Sequence, residues 1–169
     1  VGKSSLLNRL VGEKLAIVSP RPQTTRNRIT GILTLPHAQI VFVDTPGVHA
    51  PTGKLGRFML TTTLRTLEDV DAVCFVAEAT KRIQELDETV FKSLSSVSCP
   101  VFCCLNKADL VKPKSHLLPL IEAYRCRYSF AEILPVSAVD GTNLDRLTDL
   151  IVAALPQGPA FFPHDVTTD

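Results

Sequence analysis

Two short, unbroken apolar runs constrain this chain more than any other feature. Residues 72–77 read AVCFVA and residues 101–105 read VFCCL. A strand with one wet face alternates apolar and polar residues, whereas one that is apolar throughout is buried on both faces. Such strands belong to parallel sheets covered by helices. The intervening pattern agrees. Residues 4–11 place Leu6, Leu7 and Leu10 at helical spacing, and 57–68, 84–95, 114–127 and 143–155 also read as helices. Pro156 and Gly158 close the last one. Residues 28–35 and 38–43 read as strands joined through Pro36-His37 as a hairpin, and 132–136 as a short final strand. The alternation predicts an α/β fold with a mostly parallel sheet flanked by helices.

Composition narrows the function classes. At 169 residues, one domain is the natural count. With 45% hydrophobic and 21% charged residues, the chain is of ordinary globular type rather than disordered or collagen-like. Eighteen Lys+Arg against 17 Asp+Glu leave a net charge of +1, which excludes binding to nucleic acid by bulk charge but not a local basic patch. No apolar run is long enough to span a bilayer, and no basic-then-apolar leader opens the chain; the expected location is the cytoplasm. The five cysteines (Cys74, Cys99, Cys103, Cys104, Cys126) form no CxxC pair. They read as core thiols of a reducing compartment rather than as a metal site or disulfide framework.

The chemistry sits in the loops that follow these strands. Val1-Gly2-Lys3-Ser4-Ser5 runs straight into a helix and matches the second half of the phosphate loop G-x-x-x-x-G-K-[ST]. Backbone N–H groups and the helix N-terminus would hold phosphate oxygens, with Lys3 on the β- and γ-phosphates and the Ser4 hydroxyl on Mg²⁺. Alone, the tripeptide fits a surface lysine beside a helix-capping serine equally well. Asp44-Thr45-Pro46-Gly47 follows a strand. There Asp44 is placed to hold Mg²⁺ through water, and Gly47 can offer its N–H to a γ-phosphate. A plain turn is the competing reading. Asn106-Lys107-Ala108-Asp109 follows the second apolar run. The two oxygens of Asp109 match guanine N1–H and N2–H₂, a donor pair adenine lacks. Asn106 can bond the ring edge and brace neighbouring loops, and the Lys107 stem can cover the base face. Ser137-Ala138 is small enough to let a backbone N–H approach the guanine oxygen, though Ser-Ala alone carries little. Four such pieces in this order, each at a strand or helix end, favour one GTP site over four unrelated turns. They specify a P-loop NTPase whose first strand is expected to lie outside this chain, since the sequence opens inside the phosphate loop.

With those residues in place, the chain resembles the Era family of bacterial small GTPases, among the translation-factor-related group. The resemblance rests on SLLNRLVGEKLAIVS, PQTTRNRI (22–29), DTPGVH, LPVSAVDGTN and the tail FFPHDVTTD, and it covers nearly the whole chain. The PQTTRNRI stretch and the tail distinguish Era from its relatives TrmE and EngA. The resemblance implies a switch I segment in which Thr25, with Thr24 as runner-up, closes on Mg²⁺ when GTP is bound. Lys3, Thr25 and Gly47 then serve hydrolysis, and Ser4, Thr25 and Asp44 serve the metal. It implies a GTPase domain over 1–158 and a linker over 159–169 toward a KH domain missing from this chain. It also implies binding to 16S rRNA during small-subunit assembly, mainly through that KH domain. A monomer is expected, with peripheral contact at the inner face of the cell membrane left open.

The sequence also departs from simple expectation. Val48 stands where Ras-like proteins carry a water-orienting Gln, and Val cannot hydrogen-bond water. Water must be positioned by backbone groups, a monovalent cation or a partner; the resemblance implies K⁺, held by an Asn upstream of this chain. A non-hydrolysing, nucleotide-dependent interaction module and an EngA- or TrmE-type GTPase remain the alternatives. His49 reads as a solvated loop histidine, Arg21, Arg26 and Arg28 as a solvated loop face, and Gly53-Lys54-Leu55-Gly56 as a coincidental GxxG. Without the first strand, the strands at 38–43 and 72–77 would each lose a neighbour, so the chain alone is expected to be poorly stable and to bind nucleotide weakly.

Overall fold

In the computed structural model, β4 (Val101–Asn106) is buried at every position and lies at the centre of a parallel sheet. The structure describes residues 1–12, 29–43, 69–81, 83 and 91–163. β3 (Val73–Glu78) and β5 (Glu132–Pro135) flank β4, both parallel to it. A second sheet is an antiparallel hairpin of β1 (Ile29–Leu35) and β2 (Ala38–Val43), closed at Pro36-His37 with Leu35 opposite Ala38. The helices are α1 (Lys3–Val11), α2 (Leu117–Arg125) and α3 (Leu144–Ala154), and residues 91–94 are also helical. The hairpin, the parallel pairing and the α/β class match the reading from sequence.

Strand alternation divides the core into two faces. Val101, Cys103 and Leu105 of β4 point into a cluster with Val73, Phe91 and Tyr124. Phe102 and Cys104 point the other way, against Leu6 of α1 and Leu147 and Ile151 of α3. This second cluster also takes in Leu33 and Ile40 of the hairpin, so one apolar layer joins two sheets that share no ladder among the described residues. β2 pairs only with β1, and β3 only with β4, among those residues.

Two readings need correction. The run at 72–77 is not buried throughout: β3 is an edge strand of its sheet, and Cys74 is exposed. Cys74 is therefore no core thiol, unlike Cys103 and Cys104, which are fully buried; Cys126 is exposed as well. The helix expected over 114–127 begins with a 3₁₀ turn, Lys114–His116, and becomes α-helical only at Leu117. Pro119 then falls within the first α-turn, where its missing N–H is not needed. The helix expected at 57–68 and the loops at 13–27 and 44–56 lie outside the described residues. Phe162, within the stretch read as linker, exchanges two hydrogen bonds of 3.0 Å with the Gln39 side chain on β2.

Candidate functional site

Three of the sequence motifs converge where β3, β4 and β5 end, beside the start of α1. Asn106, the last residue of β4, is 2% exposed. Its Nδ2 donates to the Val1 carbonyl at 3.0 Å, and its Oδ1 accepts the Ala138 N–H at 3.1 Å. One buried amide thus ties the phosphate-loop segment to the Ser137-Ala138 turn. The Ala138 N–H, one backbone donor of the turn expected to approach a base oxygen, is engaged by Asn106 here.

Gly2 precedes α1 with φ of 82°, and a Cβ there would lie 2.6 Å from Asn106 Nδ2. Both the left-handed backbone and the contact with Asn106 require glycine. Lys3, Ser4 and Ser5 form the first turn of α1, which contains no acidic residue to offset its N-terminal N–H groups. Ser4 and Ser5 are exposed and Lys3 is half-buried.

Asp109 lies in the 3₁₀ turn Ala108–Leu110 that follows Lys107. The turn is pinned from two sides: the Ala108 N–H donates to the Val136 carbonyl at 3.0 Å, and the Lys114 ammonium donates to the Ala108 carbonyl. Asp109 Oδ1 is buried and has no hydrogen-bond partner among the described residues. A buried acceptor without a donor is unfavourable until a ligand supplies one. Behind it, Ser137 is fully buried, and its Oγ accepts the N–H groups of Val139 and Asp140 at 3.2 Å each. Thr142 donates to Asp140 through both its N–H and its hydroxyl, and these bonds hold the Asp140 carboxyl below the usual range.

One contributor was not foreseen from sequence. Glu78 ends β3, and its Oε1 lies 3.2 Å from Lys107 Nζ. The Thr80 hydroxyl donates to the same oxygen at 2.8 Å, while Lys81 Nζ and the Val1 amino group approach Oε2 at 3.6 and 4.0 Å. The Thr80 bond chiefly, with Lys107 and Lys81 adding to it, holds the Glu78 carboxyl below its ordinary value. The available signal was an acidic residue directly closing an apolar run.

The site residues Thr24, Thr25, Asp44, Thr45, Pro46 and Gly47 lie outside the described residues, as do Val48 and His49. Ser4 is therefore the described member of the expected metal set. Two features bear on a guanine nucleotide: the start of α1 has no side-chain cap, and Asp109 Oδ1 is buried without a partner among the described residues. A groove lined by residues 125–133 opens at the other end of β5, away from these motifs.

The fold and the convergent motifs define a P-loop GTPase of the α/β class. A family profile described as "50S ribosome-binding GTPase" matches residues 1–107, and the chain belongs to that family. Within it the chain is similar to GTPase Era of Lacticaseibacillus paracasei, 49% identical over the whole chain, and to GTPase Era of Geobacter metallireducens, 47% identical over the same span. It spans 56% of the length of each. Among solved structures it is similar to Era in complex with MgGDPNP and nucleotides 1506–1542 of 16S ribosomal RNA. That match has a TM-score of 0.83 and 38% identity, covering 98% of this chain and 57% of that one.

Proposed function

We propose that the chain is the GTP-binding part of an Era-type switch protein. It binds GTP or GDP with Mg²⁺, hydrolyses GTP, and acts in small ribosomal subunit assembly through 16S rRNA. The observation carrying the nucleotide reading is the buried, partnerless Oδ1 of Asp109 beside a loop braced by Asn106. Guanine offers the adjacent N–H donors that such a carboxylate accepts. The Era relatives and the RNA complex of one Era support the ribosomal assignment.

Each residue then has a defined task. Asp109 reads the guanine edge, and the Lys107 stem covers its face. Lys3 and the first N–H groups of α1 hold the phosphates. Ser4, with Asp44 and Thr25, would hold Mg²⁺, which when bound offsets charge on the β- and γ-phosphates. Gly47 presents its N–H to the γ-phosphate. With Val48 in place of a glutamine, water is positioned by backbone groups, K⁺ or a partner. The working site is a cytoplasmic monomer, with rRNA contacts supplied mainly by a KH domain beyond 159–169.

The base assignment is tested by Asp109→Asn. An amide offers a donor where the carboxylate offered an acceptor, so preference should move from GTP toward xanthosine triphosphate. Unchanged selectivity refutes it.

A further inference from the structure

The geometry points to Glu78 as a positioning residue that anchors Lys107 over the nucleotide base; it rests on the guanine reading above. The two side chains come from adjacent strands, at the ends of β3 and β4, with Glu78 opposite Asn106 in the ladder. Their charged atoms are 3.2 Å apart.

Exposure shows which partner holds the other. The Glu78 side chain is 12% exposed and that of Lys107 38%. Glu78 is fixed by the strand end, by the Thr80 hydroxyl and, through Ala79 N–H to Asn106 carbonyl at 2.8 Å, by continuation of the ladder. Lys107 is a long, flexible side chain leaving a residue with φ of 65°. Near a triphosphate, a free ammonium is drawn toward the phosphates and pulls its stem off the base. Glu78 gives that ammonium a fixed counter-charge at the end of β3. The apolar stem is then held extended, ready to cover the ring. Lys81, 3.6 Å from the other oxygen, leaves Oε1 to Thr80 and Lys107.

A stem lying on the ring face is blind to the exocyclic amine, whereas Asp109 reads that amine at the edge. The test is therefore release of fluorescently labelled GDP and IDP from the purified protein. Glu78→Gln should speed release about ten- to thirtyfold, the factor expected when one lysine side chain regains its rotamer freedom. The factor should be the same for GDP and IDP. Lys107→Met should accelerate release to a similar degree, and adding Glu78→Gln to it should change nothing further. Additive effects, unchanged release in Lys107→Met, or a changed GDP-to-IDP ratio in Glu78→Gln overturn the proposal. Lys107→Met keeps the test decisive if Glu78→Gln fails to fold, because Lys107 is more than a third exposed. Asp109→Asn measured alongside separates the two claims: without a shift toward xanthine nucleotides, the guanine reading itself falls.

Discussion

Replacing Asn106 by Ala should damage the protein before any nucleotide is added. The side chain is 2% exposed and makes two hydrogen bonds, to the Val1 carbonyl and from the Ala138 N–H. The two losses are unequal. At Val1 the loss is that of one ordinary hydrogen bond. Ala138 is half-buried, and its N–H would be left without its acceptor. An ordinary hydrogen bond contributes about 1 kcal/mol net, and orphaning a buried group costs about 1–3 kcal/mol. The expected loss is about 2–4 kcal/mol. At roughly 2–4 °C per kcal/mol for a chain of this size, the melting midpoint should fall by about 4–16 °C. Asp109→Asn is the control. It sits in the adjacent loop, but its buried oxygen has no partner to lose, so its nucleotide-free melt should stay within about 0.5 kcal/mol of the parent. Thermal unfolding followed by circular dichroism, without nucleotide, measures both. The reasoning is refuted if Asn106→Ala melts within a degree of the parent, or if both variants fall equally.

Further outcomes follow from the same geometry. Gly2→Ala forces a Cβ to within 2.6 Å of Asn106 Nδ2 at a φ of 82° and should cost at least about 1–2 kcal/mol by denaturant titration, with weaker phosphate binding. In alkylation at mildly alkaline pH, Cys74 and Cys126 should react first, Cys99 more slowly because burial raises its thiol pKa, and Cys103 and Cys104 only on unfolding. A mass-spectrometric time course showing early Cys104 modification would contradict the packing of β4. Glu78 is held below the ordinary carboxylate pKa of 4.5, so its contribution is present above that value and lost as pH falls through the lowered one. The Glu78→Gln effect on nucleotide release should hence be constant from pH 6 to 8; a steep change in that window argues for another titrating group. Phosphate release from bound GTP in a single turnover should run at roughly 10⁻⁴ to 10⁻² s⁻¹ without partners. No release, with or without K⁺, would favour the non-hydrolysing module.

The fold was legible where a pattern was local. The β1–β2 hairpin could be read from two β-rich runs meeting at Pro36-His37, and α3 from Leu144, Leu147 and Ile151 on one face. What a run of apolar residues cannot state is which neighbours cover it. VFCCL and AVCFVA look alike, yet among the described residues β4 lies between two strands and β3 pairs with one, and β4 is buried throughout while Cys74 on β3 is exposed. The start of α2 slipped by three residues because Lys114–His116 satisfies helical pattern and 3₁₀ geometry alike.

The site was legible because its chemistry is carried by short loops at strand ends, where residue type and spacing decide what a loop can bind. Asn106 closes β4, Asp109 lies in the 3₁₀ turn after it, and Ser137 follows β5. Its missing parts are contacts between loops. No spacing rule links Glu78 to Lys107 across two strands, or signals that Lys107 and Asn143 take positive φ without being glycine. Those left-handed residues also explain why the site is built as it is. Lys107 turns the chain sharply out of β4, and the 3₁₀ turn that follows, pinned by Val136 and Lys114, holds Asp109 with one oxygen buried and unmatched. A loop optimised for stability alone would have turned that carboxylate to water or given it a donor. Among the described residues none supplies one, and on the proposed reading a guanine base brings a donor of the right spacing.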